Sequence, residues 1–277
     1  MKISVALCTY NGEDFLEQQL ESIFLQTRPV QEIIICDDCS TDGTIQIIQK
    51  FLLQFPEIIK LYFNESPLKT IKNFEKAVSL TSGDYIFLCD QDDVWKKDKV
   101  QIMIDYMLSH PNTKLLFTNG ELINENDIPL KSTLWEKWGF DAIAKNLWMD
   151  NTQAFHNLLY NKNYVTGATV LMNSKIKKKA LPIELPAGYF HDAWFALHAA
   201  AQNGLAFIDD SLIKYRVHEK QQVGISRIAK NVKDVFINHH LSQEKFVNII
   251  FKLYPKLKPK VSILLRVKIC IYNLIYK

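Results

Sequence analysis

Asp90, Asp92 and Asp93 follow directly on an apolar run in the stretch YIFLCDQDDVW, residues 85–95. Like charges brought together raise one another's pKa and destabilise a fold unless a cation or a hydrogen-bond donor answers them. An Asp-x-Asp behind an apolar strand suits a hard divalent cation. Mg2+ and Mn2+ prefer oxygen ligands, and Mg2+ is usually held by one or two carboxylates plus substrate phosphates. A second acidic group, Asp37 and Asp38, closes the run EIIIC and leads into Ser40, Thr41, Asp42 and Gly43. A third polar group, Thr9, Tyr10, Asn11 and Gly12, closes KISVALC. Helix capping explains part of this, because Asp, Ser and Thr are ordinary N-caps. Thr41 or Asp42 before TIQIIQ, and Asp98 before KVQIMI, fit that role. Capping does not explain consecutive acids at the ends of two different runs.

The elements that must position these groups alternate. Strands are expected at KISVALCTY, EIIICDD, IIKLYFN, DYIFLCD and TKLLFTNG. Between them lie helical patterns at GEDFLEQQLESIFLQT, TIQIIQKFLLQF, TIKNFEKAVSLT and DKVQIMIDYMLSH. Continuously apolar strands between amphipathic helices indicate a parallel sheet covered on both faces. Ligands of such sheets bind beyond the carboxyl ends of the strands, where all three polar groups fall. From 120 to 163 the pattern weakens, and Trp135, Trp138 and Trp148 are read as packing first and as sugar platforms second. YVTGATVLMN reads as a strand interrupted by Gly167, which marks a bulge or a close approach by a ligand. A helix starts around His191 and closes at Gly204, and AFIDDSLIKYRVH gives a short strand. No linker and no internal repeat divides the chain. The fold class is α/β, a single domain with a mostly parallel central sheet.

The chain has 277 residues, 48% of them apolar, and a net charge of +3 that conceals an asymmetry. Residues 226–277 carry eleven Lys or Arg against Asp234 and Glu244, a charge of +9, while the remainder carries −6. A helical wheel over 261–277 gives a broad apolar surface with a narrow polar strip. This tail is expected either to lie on an anionic membrane or to pack on the catalytic domain or a second copy. Five cysteines and no secretory signal core suggest a reducing cytoplasm. Cys36 and Cys39 have C-x-x-C spacing, but no second pair or nearby His completes a zinc set, so buried thiols are expected. No run of 18 apolar residues is long enough to span a membrane.

Six segments together resemble the inverting glycosyltransferases of family two, which have the GT-A (Rossmann-like) fold. They are VALCTYNGEDFLEQQLESIFLQT, IIICDDCSTDGT, SGDYIFLCDQDDVWKKDKV, TGATVLMN, HDAWFAL and YRVHEKQQVG, in the family's order. DQDDVW and YRVHEKQQVG look most like the rhamnosyltransferase-like branch, which builds bacterial surface polysaccharides. The resemblance implies a GT-A domain over 1–225, with a nucleotide-binding half at 1–119 and an acceptor and catalytic half at 120–225, followed by a basic helical extension at 226–277. It implies that Thr9, Tyr10 and Asn11 touch the nucleotide and that Asp38 accepts the N3–H of uracil or thymine. Lys72, Asn73, Asp90 and Gln91 would flank the nucleotide, although a Gly common before the Lys72–Asn73 pair is missing here. Asp92 would bind Mg2+ or Mn2+, and His218 would touch the metal or the diphosphate; the plain alternative is a surface histidine. Asp93 would back the metal site or cap a helix. Asp192 would be the general base, with helix capping as its plain alternative. Gly167, Ala168, His191 and Trp95 would border the donor and acceptor sugars. The implied donor is a UDP- or dTDP-sugar and the acceptor a saccharide or a lipid-linked one. No nucleic-acid partner is expected.

Other readings fit less well. A phosphate-accepting receiver domain carries its acidic pair after the first strand, where Thr9-Tyr10-Asn11 stands. A nucleotidyltransferase needs a Gly-rich basic loop there, and CTYNGED has one Gly and no base. A processive synthase needs membrane spans and Gln-x-x-Arg-Trp. The non-enzyme alternative is a catalytically degenerate nucleotide-sugar-binding protein.

Overall fold

The computed structural model describes residues 1–160, 162–186, 188–221 and 246–257. Four strands, β1 (Ile3–Thr9), β2 (Glu32–Asp37), β3 (Ile59–Phe63) and β4 (Tyr85–Cys89), alternate with α1 (Leu16–Phe24), α2 (Thr44–Gln54) and α3 (Lys69–Leu80). β1 lies between β2 and β4, β3 flanks β2, and all three pairings are parallel. Ala6 and Leu7, Ile34 and Ile35, and Phe87 and Leu88 are fully buried. Consecutive strand residues face opposite sides, so both faces of this half must be covered. Thr9 pairs with Asp37 and Leu7 with Cys89, so Tyr10, Asp38 and Asp90 leave the sheet along one edge.

Beyond β4 the sheet becomes mixed. β5 (Val94–Trp95), α4 (Lys99–Ser109), β6 (Leu115–Asn124), β7 (Pro129–Thr133), α5 (Leu134–Trp138), α6 (Ala142–Trp148) and α7 (Asn151–Leu159) follow in sequence. Then come β8 (Val170–Asn173), α8 (Lys177–Ala180), α9 (His191–Ala200) and β9 (Leu205–Val217). Among the described residues the strand order is β3-β2-β1-β4-β8-β6-β9-β5, with β7 on β6. β8 is antiparallel to both β4 and β6, whereas β9 is parallel to β6 and antiparallel to β5. The expected parallel sheet is thus the first half, β1 to β4, and the second half adds antiparallel pairs. The strand read from YVTGATVLMN begins only at Val170, because Gly167–Thr169 forms a 3-10 turn. β9 is 13 residues long rather than short.

The weakly patterned region is three short helices around an aromatic cluster. A capping box between Thr133 and Glu136 starts α5. Trp135 and Trp148 are buried against Phe117 and Phe140, so their packing role holds. The N-cap of α2 is Gly43 rather than Thr41 or Asp42; Asp42 lies one residue before it, and its Oδ1 accepts from Thr44 N at 3.0 Å. Asp98 stands at the N-cap of α4, but its side chain makes no capping bond. Within the basic tail, 246–257 packs on α9: the Phe246 ring lies 5.0 Å from that of Tyr189, and His198 Nδ1 is 2.7 Å from the Tyr254 hydroxyl. The rest of the tail, with the expected membrane or dimer contact, lies outside the described residues. Among the described residues no helix is long and apolar enough to cross a membrane.

At the edge of the sheet opposite the polar groups, Glu32 is 1% exposed. Its carboxylate accepts from Ser4 Oγ at 2.6 Å, from Ser82 N and Oγ at 2.7 Å, and from Lys60 Nζ at 2.9 Å. Burial opposes the charge, but these donors win and hold the carboxyl well below its ordinary range. A depressed folded-state pKa contributes stability that is present above the unfolded value, about 4.3, and lost as pH falls below it. Glu32→Gln is therefore expected to cost about 2 kcal/mol at pH 7, the scale of hydrogen bonds to a charged group. In urea unfolding the gap between wild type and variant should narrow below about pH 4. A gap of equal size at pH 7 and pH 3.5 would contradict this account.

Candidate active site

The carboxyl ends of β1, β2 and β4, the turn before β8, the start of α9 and the end of β9 enclose a cleft of about 930 Å³. Twelve sequence-assigned residues line it: Thr9, Tyr10, Asn11, Asp38, Asn73, Asp90, Gln91, Asp92, Gly167, His191, Asp192 and His218. Lys72, Trp95 and Ala168 do not.

On the β1–β2 side the backbone is fixed by side chains. Gln91 Oε1 accepts from Tyr10 N at 2.8 Å, and Gln91 Nε2 donates to Tyr10 O at 3.0 Å. A Cβ at Gly12 would stand 2.4 Å from Gln91 Oε1, so a larger residue there would displace the Gln91 side chain from Tyr10. Asn11 sits at φ 47 and its Oδ1 accepts from Thr41 N at 2.8 Å, a left-handed position Asn tolerates. The Tyr10 ring remains 40% exposed, free to cover a flat base. Asp38 Oδ1 accepts from Asn64 Nδ2 at 2.7 Å and Leu68 N at 2.6 Å, and Oδ2 from Lys69 N at 2.8 Å. A carboxylate offers about four acceptor sites, so one is left for a ring N–H. Asn73 is 2% exposed and bridges Cys36 O and Asn64 Nδ2, fastening α3 to β2. Lys72 turns away: its ammonium holds Glu75 at 2.7 Å and Ile183 O at 3.1 Å, beside a separate groove. Cys36 is buried within β2 and Cys39 Sγ lies 3.2 Å from Asn64 O, two separate environments.

The acids meet the end of β9. Asp92 Oδ2 lies 2.9 Å from His218 Nε2. Burial pushes the Asp90 carboxyl up to about 7, and the neighbouring charges of Asp92 and Asp192 add to this while Lys99 opposes it. Asp93 is 1% exposed and accepts from Arg216 N at 3.0 Å. It caps no helix; it ties the acidic loop to β9 from behind, and burial raises its carboxyl far above the ordinary range. Arg216, 1% exposed, donates to Asp92 O at 2.8 Å and Gln18 Oε1 at 2.5 Å, pairs with Asp127 at 2.8 Å, and lies over the Phe15 ring. Sequence reading passed over Arg216, yet it stands two residues before His218 on a strand and so on the same face.

Lys99, the first residue of α4, is a second buried cation beside the site. It is 0% exposed, donates to Ala168 O at 2.7 Å and lies 3.9 Å from the Trp95 ring centroid. Burial depresses its amine to about 7. Trp95 and Ala168 are therefore the enclosure of Lys99, beneath the site, and not contacts for a sugar. Their nearness in sequence to Asp93 and Gly167 hid this, because neighbours along the chain need not face the same way.

Asp192 stands in the first turn of α9, after Phe190 at the N-cap. Its Oδ1 accepts from Ala193 N at 2.6 Å and Asn163 Nδ2 at 3.3 Å, and the Gly167 N–H also reaches the carboxylate. A helix start favours the ionised form of a carboxylate. Burial outweighs the three donors and pushes it up to about 6. It is still mostly ionised at neutral pH, and a base poised near the working pH suits proton abstraction. His191 stacks on Phe74 at 3.9 Å, and burial drops its imidazole to about 3, so the ring is neutral. A Cβ on Gly167 would come within 2.9 Å of His191 Nε2 and 3.9 Å of Asp192 Cβ. Gly167 is thus the close approach that seats the turn against α9. Asn163, Thr166 and Phe190, which the sequence does not single out, also line the cleft, as does Trp138, read from the sequence as packing first and as a sugar platform second.

The donor set at the acidic strand end fits a hard divalent cation. Asp92 and His218 offer one oxygen and one nitrogen, and Asp90 lines the same cleft. His218 Nδ1 and Asp93 Oδ2 are buried without a partner, so the pair is not yet fully answered by protein donors. Among the described residues no group of three ligands is preassembled, which suits a cation completed by substrate phosphates.

The mixed sheet carries the acidic strand end and the cleft on its carboxyl edge, where ligands of such sheets bind. A family model described as Glycosyl transferase family 2 matches residues 4–177, and the chain belongs to that family. RfbG of Shigella flexneri, a dTDP-rhamnosyl transferase, is 29% identical over 303 residues, covering 94% of this chain and 98% of RfbG. TuaG of Bacillus subtilis strain 168, a glycosyltransferase named for teichuronic acid biosynthesis, is 32% identical over 146 residues, 52% of this chain and 57% of TuaG. The crystal structure of S. aureus TarS 1-349 with UDP-GlcNAc has the same fold, with TM-score 0.60, 19% identity, and coverage of 81% of this chain and 62% of that one.

Proposed function

We propose that the chain moves a hexosyl or deoxyhexosyl group from a UDP- or dTDP-sugar to a saccharide or lipid-linked acceptor, with inversion, in the synthesis of a bacterial surface polysaccharide. Rhamnose is the sugar favoured by the likeness to RfbG along nearly the whole chain. The observation that carries the reading is one cleft lined by two chemically different groups: Asp92 with His218 2.9 Å away, and Asp192 at the start of α9, a buried carboxylate close enough for its charge to act on Asp90. Tyr10 and Asp38 would receive the pyrimidine base, and the Asp92–His218 pair the diphosphate. A divalent cation held by Asp92 and His218 would stabilise negative charge on the departing diphosphate. A hydroxyl is a poor nucleophile near neutral pH, and Asp192 takes its proton as it attacks the anomeric carbon. Neutral His191 packs beside Asp192 and adds no competing positive charge. One displacement from the face opposite the diphosphate inverts the anomeric centre.

A panel of UDP-, dTDP- and GDP-sugars, scored for nucleotide release with Mn2+ and with EDTA, tests this reading. Release from at least one UDP- or dTDP-sugar, dependent on Mn2+, is expected. Tight binding without release from any donor would favour the degenerate binding protein instead.

A further inference from the structure

Of the five tryptophans, Trp95, Trp135, Trp148 and Trp194 are buried, and Trp138 alone is not. Trp138 lines the cleft, and its indole N–H donates to Thr166 Oγ1 at 3.2 Å. The bond fixes the ring, and with its one polar atom satisfied the indole offers the cleft an apolar face. Thr166 adjoins Gly167, whose N–H reaches Asp192, so Trp138 is anchored to the same turn that seats the base. Phe190 lines the cleft from the other side of the sequence, two residues before Asp192, and is 37% exposed. Keeping a phenylalanine and a tryptophan uncovered in a water-filled cleft forgoes the stabilisation that burial of each would give. Tyr10, the ring suited to the nucleotide base, is carried by a different element at the end of β1.

We propose that Trp138 and Phe190 are the aromatic walls of an acceptor subsite that takes a pyranose ring and holds its hydroxyl to Asp192. This rests on the transferase reading above and names the acceptor unit that it leaves open. A pyranose presents a patch of C–H on its face and hydroxyls at its rim. Aromatic faces cover such apolar patches, while polar groups at the edge answer the hydroxyls. The subsite combines both, because Asp192 lines the same cleft as the two rings. Positioning a hydroxyl against a base is a large part of what an enzyme can contribute to such a transfer.

The test uses the full chain, the nucleotide sugar that proves active in the panel, and methyl pyranosides as acceptor probes. In wild type, nucleotide release should accelerate with pyranoside concentration and saturate. Trp138→Ala and Phe190→Ala should each raise the half-saturating pyranoside concentration about tenfold, the scale of an aromatic contact. Trp138→Phe, which keeps a ring, should recover most of the loss. Nucleotide diphosphate affinity by calorimetry should stay within about twofold of wild type in all three variants, a readout that misfolding would not spare. Unchanged half-saturation in both alanine variants overturns the subsite. Donor turnover in wild type with no response to any pyranoside overturns it too, while leaving the transferase reading intact. No turnover of any donor overturns both.

Discussion

Replacing Asp192 by asparagine is expected to lower sugar transfer by about 10²–10⁴-fold, the range typical of a lost general base. Asparagine keeps the size of the side chain and can still accept from Ala193 N and Gly167 N, so the start of α9 should survive. Donor affinity should change little, because the base-binding and acidic groups lie on other elements. The pH profile supplies a second mark. Burial sets the Asp192 carboxyl at about 6, so the ionised base is gained as pH rises through that value. Wild-type transfer should climb across that range and the variant should not. A variant with wild-type turnover would return Asp192 to the role of a helix-start residue.

Asp92→Asn is expected to weaken Mn2+-dependent binding of UDP or dTDP by about tenfold or more, since a neutral amide is a poor ligand for a hard cation. The substitution also changes what faces His218 Nε2 at 2.9 Å, so the two groups of the cleft respond differently to the two asparagine variants. Asp92→Asn should lose affinity, and Asp192→Asn should lose rate. Calorimetry of nucleotide binding with Mn2+ and with EDTA separates them. Equal wild-type affinity under both conditions would remove the cation from the account.

The nucleotide side of the site was legible because its strands are buried on both faces. Runs such as Ile33–Ile35 and Ile86–Leu88 leave no doubt about the strand, and the polar residues after them must then emerge at one edge. The second half was less legible because β6, β8 and β9 are assembled by pairings far apart in sequence, such as Leu115 with Leu205. Local periodicity carries no record of such a pairing. The short helices did leave a signal, the Thr133–Glu136 capping box, which went unread. Lys99 shows the limit most plainly. Its position opening an amphipathic helix reads as solvated, and only the approach of Ala168 and Trp95 makes it a buried cation. Trp95 and Ala168 were misassigned for the same reason, since proximity along the chain does not say which face a side chain takes. Asp192 lines the cleft, and burial, invisible in the sequence, raises its carboxyl despite the helix start.

The most direct test of the central claim is the anomeric configuration of the transferred sugar, read by proton NMR as wild-type protein converts an active UDP- or dTDP-sugar in the presence of Mn2+. A single carboxylate base predicts one displacement, so the first product should carry the configuration opposite to that of the donor. A product that keeps the donor's configuration would require a second displacement or a different attacking group, and would contradict the role assigned to Asp192.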